Sequence, residues 1–174
     1  MTAPALIFLG DSLIEFYDWQ ACFPNHAVVN LGQAGETVQE LRQRLDRLSG
    51  RLANPIWFLL MIGTNNVAME DYGFLAPYRA VVATLRQRYP NAAVQVTSLL
   101  PMRLPWLAPD TIPRLNERLR ALALELGAGY IDVHGAFMAS GLGPALFLED
   151  GVHLSEAGYR VWVQTLRPFL PPVS

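Results

Sequence analysis

Lysine is missing from this sequence, so arginine alone supplies its basic side chains. The basic residues number 13 against 15 acidic ones, and the formal net charge is -2. A protein that binds nucleic acid more often carries a basic excess on one face. The charge balance therefore argues against nucleic acid as a partner.

Cysteine is nearly absent as well, since Cys22 is the single one in 174 residues. A lone cysteine excludes an internal disulfide, and its apolar and aromatic neighbours indicate a buried thiol in a reducing compartment. Long hydrophobic runs are also lacking, because none approaches the roughly 18 consecutive apolar residues of a membrane span. The first apolar run stops at Gly10 with no basic stretch before it, so we expect no signal peptide and a cytoplasmic location.

The composition is otherwise that of a globular protein, with 52% hydrophobic and 16% charged residues. These fractions favour a well-covered interior over disorder. Single domains commonly contain about 50 to 250 residues, so we expect residues 1–174 to form one domain. Whether the chain forms a homo-oligomer is left open, because that depends on surface patches that the sequence does not define.

Short apolar segments alternate with helical patterns along the chain. The apolar segments predict five buried strands, at residues 5–9, 27–30, 56–61, 93–99 and 130–133. The helical patterns cover residues 38–52, 78–89, 113–127 and 155–167. The first of them has a clear start, because Thr37 and Glu40 form a capping box. Apolar strands that alternate with helices predict a parallel sheet covered on both faces, which is an α/β fold.

In such a sheet, ligands bind beyond the carboxyl ends of the strands. Ser12 stands at such an end, directly behind the first apolar run and Gly10-Asp11. Its hydroxyl and its backbone N–H can both face the carboxyl edge, and a neighbouring base would make the hydroxyl a nucleophile. Taken alone, a Gly-Asp-Ser run more often only caps a helix, through Asp11 or Ser12.

His153 is the candidate base, because imidazole titrates near neutral pH and can take and return a proton. Asp150 lies three residues earlier, a spacing from which a carboxylate can reach the imidazole and fix its tautomer. The alternative is a solvated aspartate and a histidine that packs before the last helix. The presence of Ser12 favours the catalytic interpretation.

Acyl transfer also needs hydrogen-bond donors aimed at the oxygen that becomes negative in the transition state. Three candidates follow predicted strands: the Ser12 N–H, the Gly35 N–H and the Asn65 side-chain amide. Considered singly, Gly35 more often marks a turn with positive φ, and Asn65 a polar turn residue.

Metal catalysis has little support in the sequence. A site built from Asp11, Asp150 and His153 would leave Ser12 and Asn65 without a role, so we expect no metal and no cofactor. His26 and His134 have no partner at a readable spacing and are interpreted as surface or hydrogen-bonded histidines.

Four motifs resemble, in order and in position relative to the predicted strands, the sequence blocks of the SGNH hydrolases, also called GDSL esterases and lipases. They are Gly10-Asp11-Ser12-Leu13, Gly35, Gly63-x-Asn65 and Asp150-x-x-His153, and the resemblance spans residues 5–160. It implies a three-layer α/β/α sandwich whose five-stranded parallel sheet has flavodoxin-like order. It also implies that Ser12 is the nucleophile, that Asp150 and His153 complete the catalytic triad, and that Ser12, Gly35 and Asn65 form the oxyanion hole.

One departure points to a branch of this family. Asn66 stands where many members have aspartate, and in this the chain is similar to the platelet-activating-factor acetylhydrolase branch and its bacterial relatives. Leu99-Leu100-Pro101 and His153-Leu154-Ser155 extend the likeness. The resemblance favours short acyl groups without defining the substrate.

The resulting hypothesis is a serine esterase that cleaves small carboxylic esters, with short acyl or acetyl groups, through an acyl-enzyme on Ser12. An acyltransferase on the same site and a non-catalytic module that binds a small ligand are the alternatives. We expect substrate contacts from loops 67–75, 101–113 and 141–149. The apolar residues of the second loop either line an acyl site or pack on the core or a dimer contact: Met102, Leu104, Trp106 and Leu107.

Overall fold

Five parallel strands form the centre of residues 3–48 and 52–172, the part of the chain that the computed structural model describes. They are β1 (Ala5–Gly10), β2 (Ala27–Gly32), β3 (Pro55–Met61), β4 (Ala93–Thr97) and β5 (Gly129–Ile131). Their order in the sheet is β2-β1-β3-β4-β5, which confirms the flavodoxin-like order. Residues 1–2, 49–51 and 173–174 lie outside the described part. The two ends of the predicted domain 1–174 and positions 49–51 of the predicted helix 38–52 therefore lie outside it as well.

Helices cover both faces of the sheet, which confirms the three-layer α/β/α sandwich. In chain order they are α1 (Ser12–Glu15), α2 (Trp19–Cys22), α3 (Val38–Leu48), α4 (Thr64–Ala68), α5 (Leu75–Arg88), α6 (Thr111–Glu125), α7 (Val133–Ala139) and α8 (Glu156–Leu166). Helices α3, α5 and α6 pack on one face, and α1, α2, α7 and α8 pack on the other. Short 3-10 turns lie at Gly143–Leu146 and Arg167–Phe169.

Strand β1 shows why the sheet needs helices on both faces. Its side chains alternate, so that Leu6 and Phe8 pack in the cluster that contains Trp162 of α8. Ile7 and Leu9 pack on the opposite face, in the cluster that contains α3, α5 and α6. All four strand residues are fully buried. A strand that is apolar throughout is stable only where both of its faces are covered.

Strands β4 and β5 are shorter than the strands predicted at 93–99 and 130–133, because β4 ends at Thr97 and β5 at Ile131. Asp132 caps α7, since its Oδ1 accepts the Gly135 N–H at 2.8 Å. Val133, predicted as the end of a strand, is therefore the first residue of a helix. The sequence patterns do not predict α4 or α7. The predicted helices 78–89, 113–127 and 155–167 correspond to α5, α6 and α8, with ends shifted by at most three residues.

The sheet brings several predicted site residues to its carboxyl edge. The chain passes from β1 to its neighbour β2 and then to β3 on the other side of β1, so a crevice opens beyond the strand ends. Ser12 follows β1, Gly35 follows β2 and Asn65 follows β3. Within the described ranges, no helix is long and apolar enough to cross a membrane.

Candidate active site

Ser12 is the first residue of α1, immediately after the end of β1. Asp11 caps this helix, because its Oδ1 accepts the Leu13 N–H at 3.0 Å. Gly10 leaves no room for a side chain, since a Cβ atom there would collide with the carbonyl oxygen of Met61. The tight turn holds Ser12 at the carboxyl edge with only 7% of its surface exposed.

The structure joins three of the predicted site residues, Ser12, His153 and Asp150, in one chain of hydrogen bonds. The distance from Ser12 Oγ to His153 Nε2 is 3.0 Å. His153 Nδ1 lies 2.6 Å from Asp150 Oδ2. The other carboxylate oxygen, Oδ1, accepts the backbone N–H groups of Val152 and His153, each at 2.9 Å.

The charge of Asp150 determines which groups donate and which accept in the hydrogen bonds between Ser12, His153 and Asp150. Partial burial raises the pKa of this carboxyl, but the hydrogen bonds from the Val152 N–H and from the ring and N–H of His153 outweigh it and hold the pKa below its usual value. At neutral pH Asp150 is therefore ionised and can only accept, so Nδ1 of His153 donates to it. Nε2 is then free to accept the hydroxyl proton of Ser12.

Contacts around residues 150–153 hold the histidine against the serine. Gly151 has a positive φ of 71°, and its carbonyl accepts the Arg103 N–H at 2.9 Å. The His153 carbonyl accepts the Leu148 N–H at 2.8 Å. On the neighbouring helix, the Tyr159 hydroxyl donates to the Leu13 carbonyl at 3.1 Å and so ties α8 to α1.

The structure also brings the Gly35 loop and Asn65 together. Gly35 has a φ of 77°, so the turn predicted for it is present. Asn65 lies in the first turn of α4 rather than in a loop, and its Nδ2 donates to the Glu36 carbonyl at 2.9 Å. The same loop is tied to α1, because the Ala34 N–H donates to Glu15 Oε2 at 2.6 Å. One N–H of the Asn65 amide is used in this way, and the other is left for a second acceptor.

Phe16 is a residue of the site that the sequence motifs do not identify. Its side chain is exposed, with 62% of the residue's surface accessible, and its ring centroid lies 5.9 Å from that of the His153 imidazole. The position one helical turn after Ser12 is the signal that could have revealed it, because residues four apart share a helix face.

Asn66 has a structural role that the motif comparison does not reveal. Its side chain is fully buried, and its Oδ1 accepts the N–H of Val38 at the start of α3 at 3.0 Å. Its Nδ2 donates to Gln39 Oε1 and to Asp71 Oδ2, each at 2.8 Å. Asn66 therefore links the segment after β3 to the helix that follows the Gly35 loop.

Two of the three predicted substrate loops meet around one apolar cavity. Its volume is about 330 Å³, and its lining includes Pro101 and Arg103 from one loop and Pro144 and Phe147 from the other. Met102 and Leu107 pack instead against the hydrophobic core, as one of the alternatives expects. Trp106 is 57% exposed.

The remaining histidines do not join the site. His26 Nε2 is within hydrogen-bond distance of the Pro171 carbonyl, at 3.0 Å. His134 is half-buried, and burial lowers the pKa of its imidazole.

Within residues 3–48 and 52–172, no three His, Cys, Asp or Glu side chains lie close enough to hold a metal ion. The alternative ligand set of Asp11, Asp150 and His153 is therefore not assembled.

Comparison with known proteins places these residues in a family context. Residues 8–161 match the model of the GDSL-like Lipase/Acylhydrolase family, a span that runs from before Ser12 to beyond His153. Platelet-activating factor acetylhydrolase IB subunit alpha1 of Bos taurus is 30% identical over 175 residues, which cover 96% of this chain and 75% of that protein.

Solved structures with the same architecture come from bacteria. A Streptococcus pneumonia protein, provisionally named a platelet activating factor, has a TM-score of 0.86 and 25% identity over 98% of this chain and 85% of that chain. An acetylxylan esterase from Geobacillus stearothermophilus has a TM-score of 0.76 and 23% identity over 97% of this chain and 95% of that chain. The second likeness is one of fold.

Proposed function

The chain belongs to the GDSL-like lipase/acylhydrolase family and is a carboxylic ester hydrolase, and from this premise we propose that it cleaves short-chain acyl esters through an acyl-enzyme on Ser12. The observation that carries the proposal is the hydrogen-bonded chain from Ser12 Oγ through the His153 ring to Asp150, with links of 3.0 and 2.6 Å. A serine hydroxyl becomes a competent nucleophile when an oriented imidazole can take its proton.

In the proposed first step, Ser12 Oγ attacks the ester carbonyl carbon while His153 Nε2 takes the hydroxyl proton. Asp150 keeps Nδ1 protonated and stabilises the imidazolium that forms. As the tetrahedral intermediate collapses, the bond to the leaving alcohol breaks and His153 returns the proton to that oxygen. Water then attacks the acyl-enzyme with His153 again as the base, and the free acid and Ser12 are released.

We assign stabilisation of the oxyanion to the Ser12 N–H, the Gly35 N–H and the second N–H of Asn65. The support is the position of each residue. Ser12 is the first residue of α1, and Gly35 lies in a turn with positive φ. Asn65 is hydrogen-bonded to the backbone carbonyl of Glu36, the residue after Gly35. Removal of a single such donor commonly lowers kcat by about 100- to 1000-fold.

The proposed substrates carry acetyl or other short acyl groups. The support is the 30% identity to a protein whose name states an acetylhydrolase activity on platelet-activating factor. Phe16 supplies an exposed apolar surface beside His153, the residue that in the proposed mechanism returns the proton to the leaving group. Apolar or aromatic alcohols therefore fit the leaving-group side of the site.

Labelling of Ser12 tests the proposal directly. An organophosphonate ester should add one phosphonyl group to the wild-type protein, located at Ser12 by peptide mass spectrometry. Ser12→Ala should take up no label and hydrolyse p-nitrophenyl acetate at the background rate. Ser140→Ala is the matched control, because among the described residues the Ser140 hydroxyl hydrogen-bonds only to Phe137 and Leu142, its near neighbours in sequence, and its loss should leave labelling and rate unchanged.

Two results would contradict the proposal. Native, folded protein that stays unlabelled, or a Ser12→Ala variant that keeps the wild-type rate, would exclude Ser12 as the nucleophile.

Product analysis with added alcohols separates the hydrolase from an acyltransferase, since only a transferase would form the new ester in preference to the free acid.

A further inference from the structure

A buried ion pair lies next to the proposed oxyanion hole and has no part in the mechanism given above. The Glu36 side chain is 1% exposed and the Arg44 side chain 13%. Arg44 Nε and Nη2 donate to the two carboxylate oxygens of Glu36 at 2.5 and 2.6 Å. Removing two charges from water is costly, so a buried pair is weak evidence of added stability, and in some proteins such a pair instead fixes one arrangement.

The position of Glu36 indicates which arrangement the pair fixes. Glu36 directly follows Gly35, and its backbone carbonyl accepts the hydrogen bond of Asn65 Nδ2 at 2.9 Å. Arg44 is held in turn by α3 and by the carbonyl of Leu31 near the end of β2, to which its Nη2 donates at 2.9 Å. The ion pair thus anchors Glu36, the residue that connects the proposed donors Gly35 and Asn65, to α3 and to the end of β2.

The Gly35 turn has little packing of its own. Among the described residues outside 34–36, no heavy atom lies within 4 Å of the place where a Cβ of Gly35 would stand. A turn without side-chain packing depends on its neighbours for a fixed orientation. The Asn65 amide is planar, so the carbonyl that binds one of its N–H groups also sets the direction of the other.

We propose that Glu36 and Arg44 are positioning residues of the oxyanion hole, because their ion pair fixes the Glu36 carbonyl and thereby aims the free N–H of Asn65 at the substrate oxygen. This inference rests on the proposed function of the site. The ion pair should therefore stabilise the transition state, in which the substrate oxygen carries the negative charge, and should have little effect on substrate binding.

Glu36→Gln tests the inference, since the amide keeps the size of the side chain and removes the charge that binds Arg44. With p-nitrophenyl acetate, kcat should fall by about 10-fold or more, while KM changes by less than about 2-fold. Arg44→Lys should show the same pattern with a smaller loss, because an ammonium group cannot donate to both carboxylate oxygens in a fixed fork.

The affinity for a boronic acid gives a readout that a purely structural role would not move. Its tetrahedral adduct with Ser12 places an oxygen where the oxyanion forms, so its affinity should fall in Glu36→Gln by about the same factor as kcat. Glu125→Gln is the matched control, because it breaks an exposed Arg79 ion pair, with side chains 44% and 62% exposed, and should change neither quantity.

A double-mutant cycle of Glu36→Gln and Asn65→Ala tests whether the ion pair acts on kcat through Asn65. If the pair acts through Asn65, adding Glu36→Gln to Asn65→Ala should lower kcat by no more than about 2-fold further. Independent losses that multiply in the double variant would overturn the inference. A Glu36→Gln variant that keeps the wild-type kcat and boronic acid affinity would do so as well.

Thermal unfolding monitored by circular dichroism establishes that each variant is folded. If Glu36→Gln does not fold, the same kinetic and boronic acid measurements on Arg44→Lys decide the question. Failure of the proposed function is recognised separately, because Ser12 would then remain unlabelled in the wild-type protein. A labelled, Ser12-dependent esterase with an inert Glu36 and Arg44 would contradict only the positioning role.

Discussion

Asp11 is a fully buried carboxyl group next to the serine that we propose as the nucleophile. Burial raises its pKa to about 6, against the opposing effect of the hydrogen bond from the Leu13 N–H. The folded protein therefore holds a proton on Asp11 more tightly than the unfolded chain, whose value is 3.8. This group stabilises the fold fully below about pH 4 and loses that contribution as the pH rises through about 6.

Asp11→Asn should remove this pH dependence, because the amide can still accept the Leu13 N–H and does not ionise. A pKa difference of about two units corresponds to about 3 kcal/mol. The unfolded carboxyl is already partly ionised at pH 4, so the free energy of unfolding of the variant, minus that of the wild type, should rise by about 2 kcal/mol between pH 4 and pH 7. Urea unfolding at four pH values in this range measures it, and a difference that stays constant with pH would contradict the assignment.

At this scale, the sequence is informative where chemistry depends on residues in short motifs. Ser12, Asp150 and His153 could be predicted because each lies in such a motif and the α/β pattern brings strand ends to one edge. The positions of Glu36 and Arg44 carry no comparable signal. Arg44 resembles any exposed arginine on an amphipathic helix, and only the folded structure shows that it reaches a carboxylate behind Gly35.

Helix α3 begins with hydrogen bonds from two sources. One is local, because the Glu40 N–H donates to Thr37 Oγ1 at 3.3 Å and the Thr37 N–H donates to Glu40 Oε2 at 2.8 Å. This is the predicted capping box. The other comes from Asn66, 28 residues away in sequence, which accepts the Val38 N–H. Local spacing reveals the first contact, whereas the second exists only after β3 pairs beside β1.

The two contacts should differ in their effect on stability. Thr37→Ala removes an exposed cap and should lower the free energy of unfolding by about 1 kcal/mol. Asn66→Ala should lower it by about 2 kcal/mol or more, because it leaves the buried N–H of Val38 without its partner and empties a buried polar site. Urea unfolding of both variants measures the difference, with the exposed turn variant Asn25→Ala as the control. A loss for Thr37→Ala equal to or above that for Asn66→Ala would contradict this ranking.

The strand ends illustrate the limit of prediction at the scale of elements. The strand centres could be predicted because an apolar run must be buried on both faces of a parallel sheet. The end at Val133 could not, since a β-branched residue favours a strand and the helix there depends on a cap from the residue before it. A local hydrogen bond of Asp132 overrides the propensity.

At the scale of the whole molecule, the sheet separates two hydrophobic clusters. The cluster on the side of α8 contains Trp19, Trp57 and Trp162, all fully buried. The described residues of the opposite cluster include no tryptophan, and Trp106 is exposed in a loop. Tryptophan fluorescence therefore reports chiefly on one face of the sheet, while circular dichroism reports on the helices of both.

This asymmetry tests the proposal that the chain folds as one domain. Leu119→Ala creates a cavity in the cluster without tryptophan and should lower the free energy of unfolding by about 2 to 5 kcal/mol. If both clusters unfold together, the fluorescence and circular dichroism transitions should coincide in urea and shift to the same lower midpoint. Leu124→Ala, at a position of the same helix that is 59% exposed, should leave the midpoint nearly unchanged. A fluorescence transition that stays in place while the dichroism signal shifts would show that the two faces unfold separately, because the tryptophans could then persist in a folded layer after the opposite layer had melted.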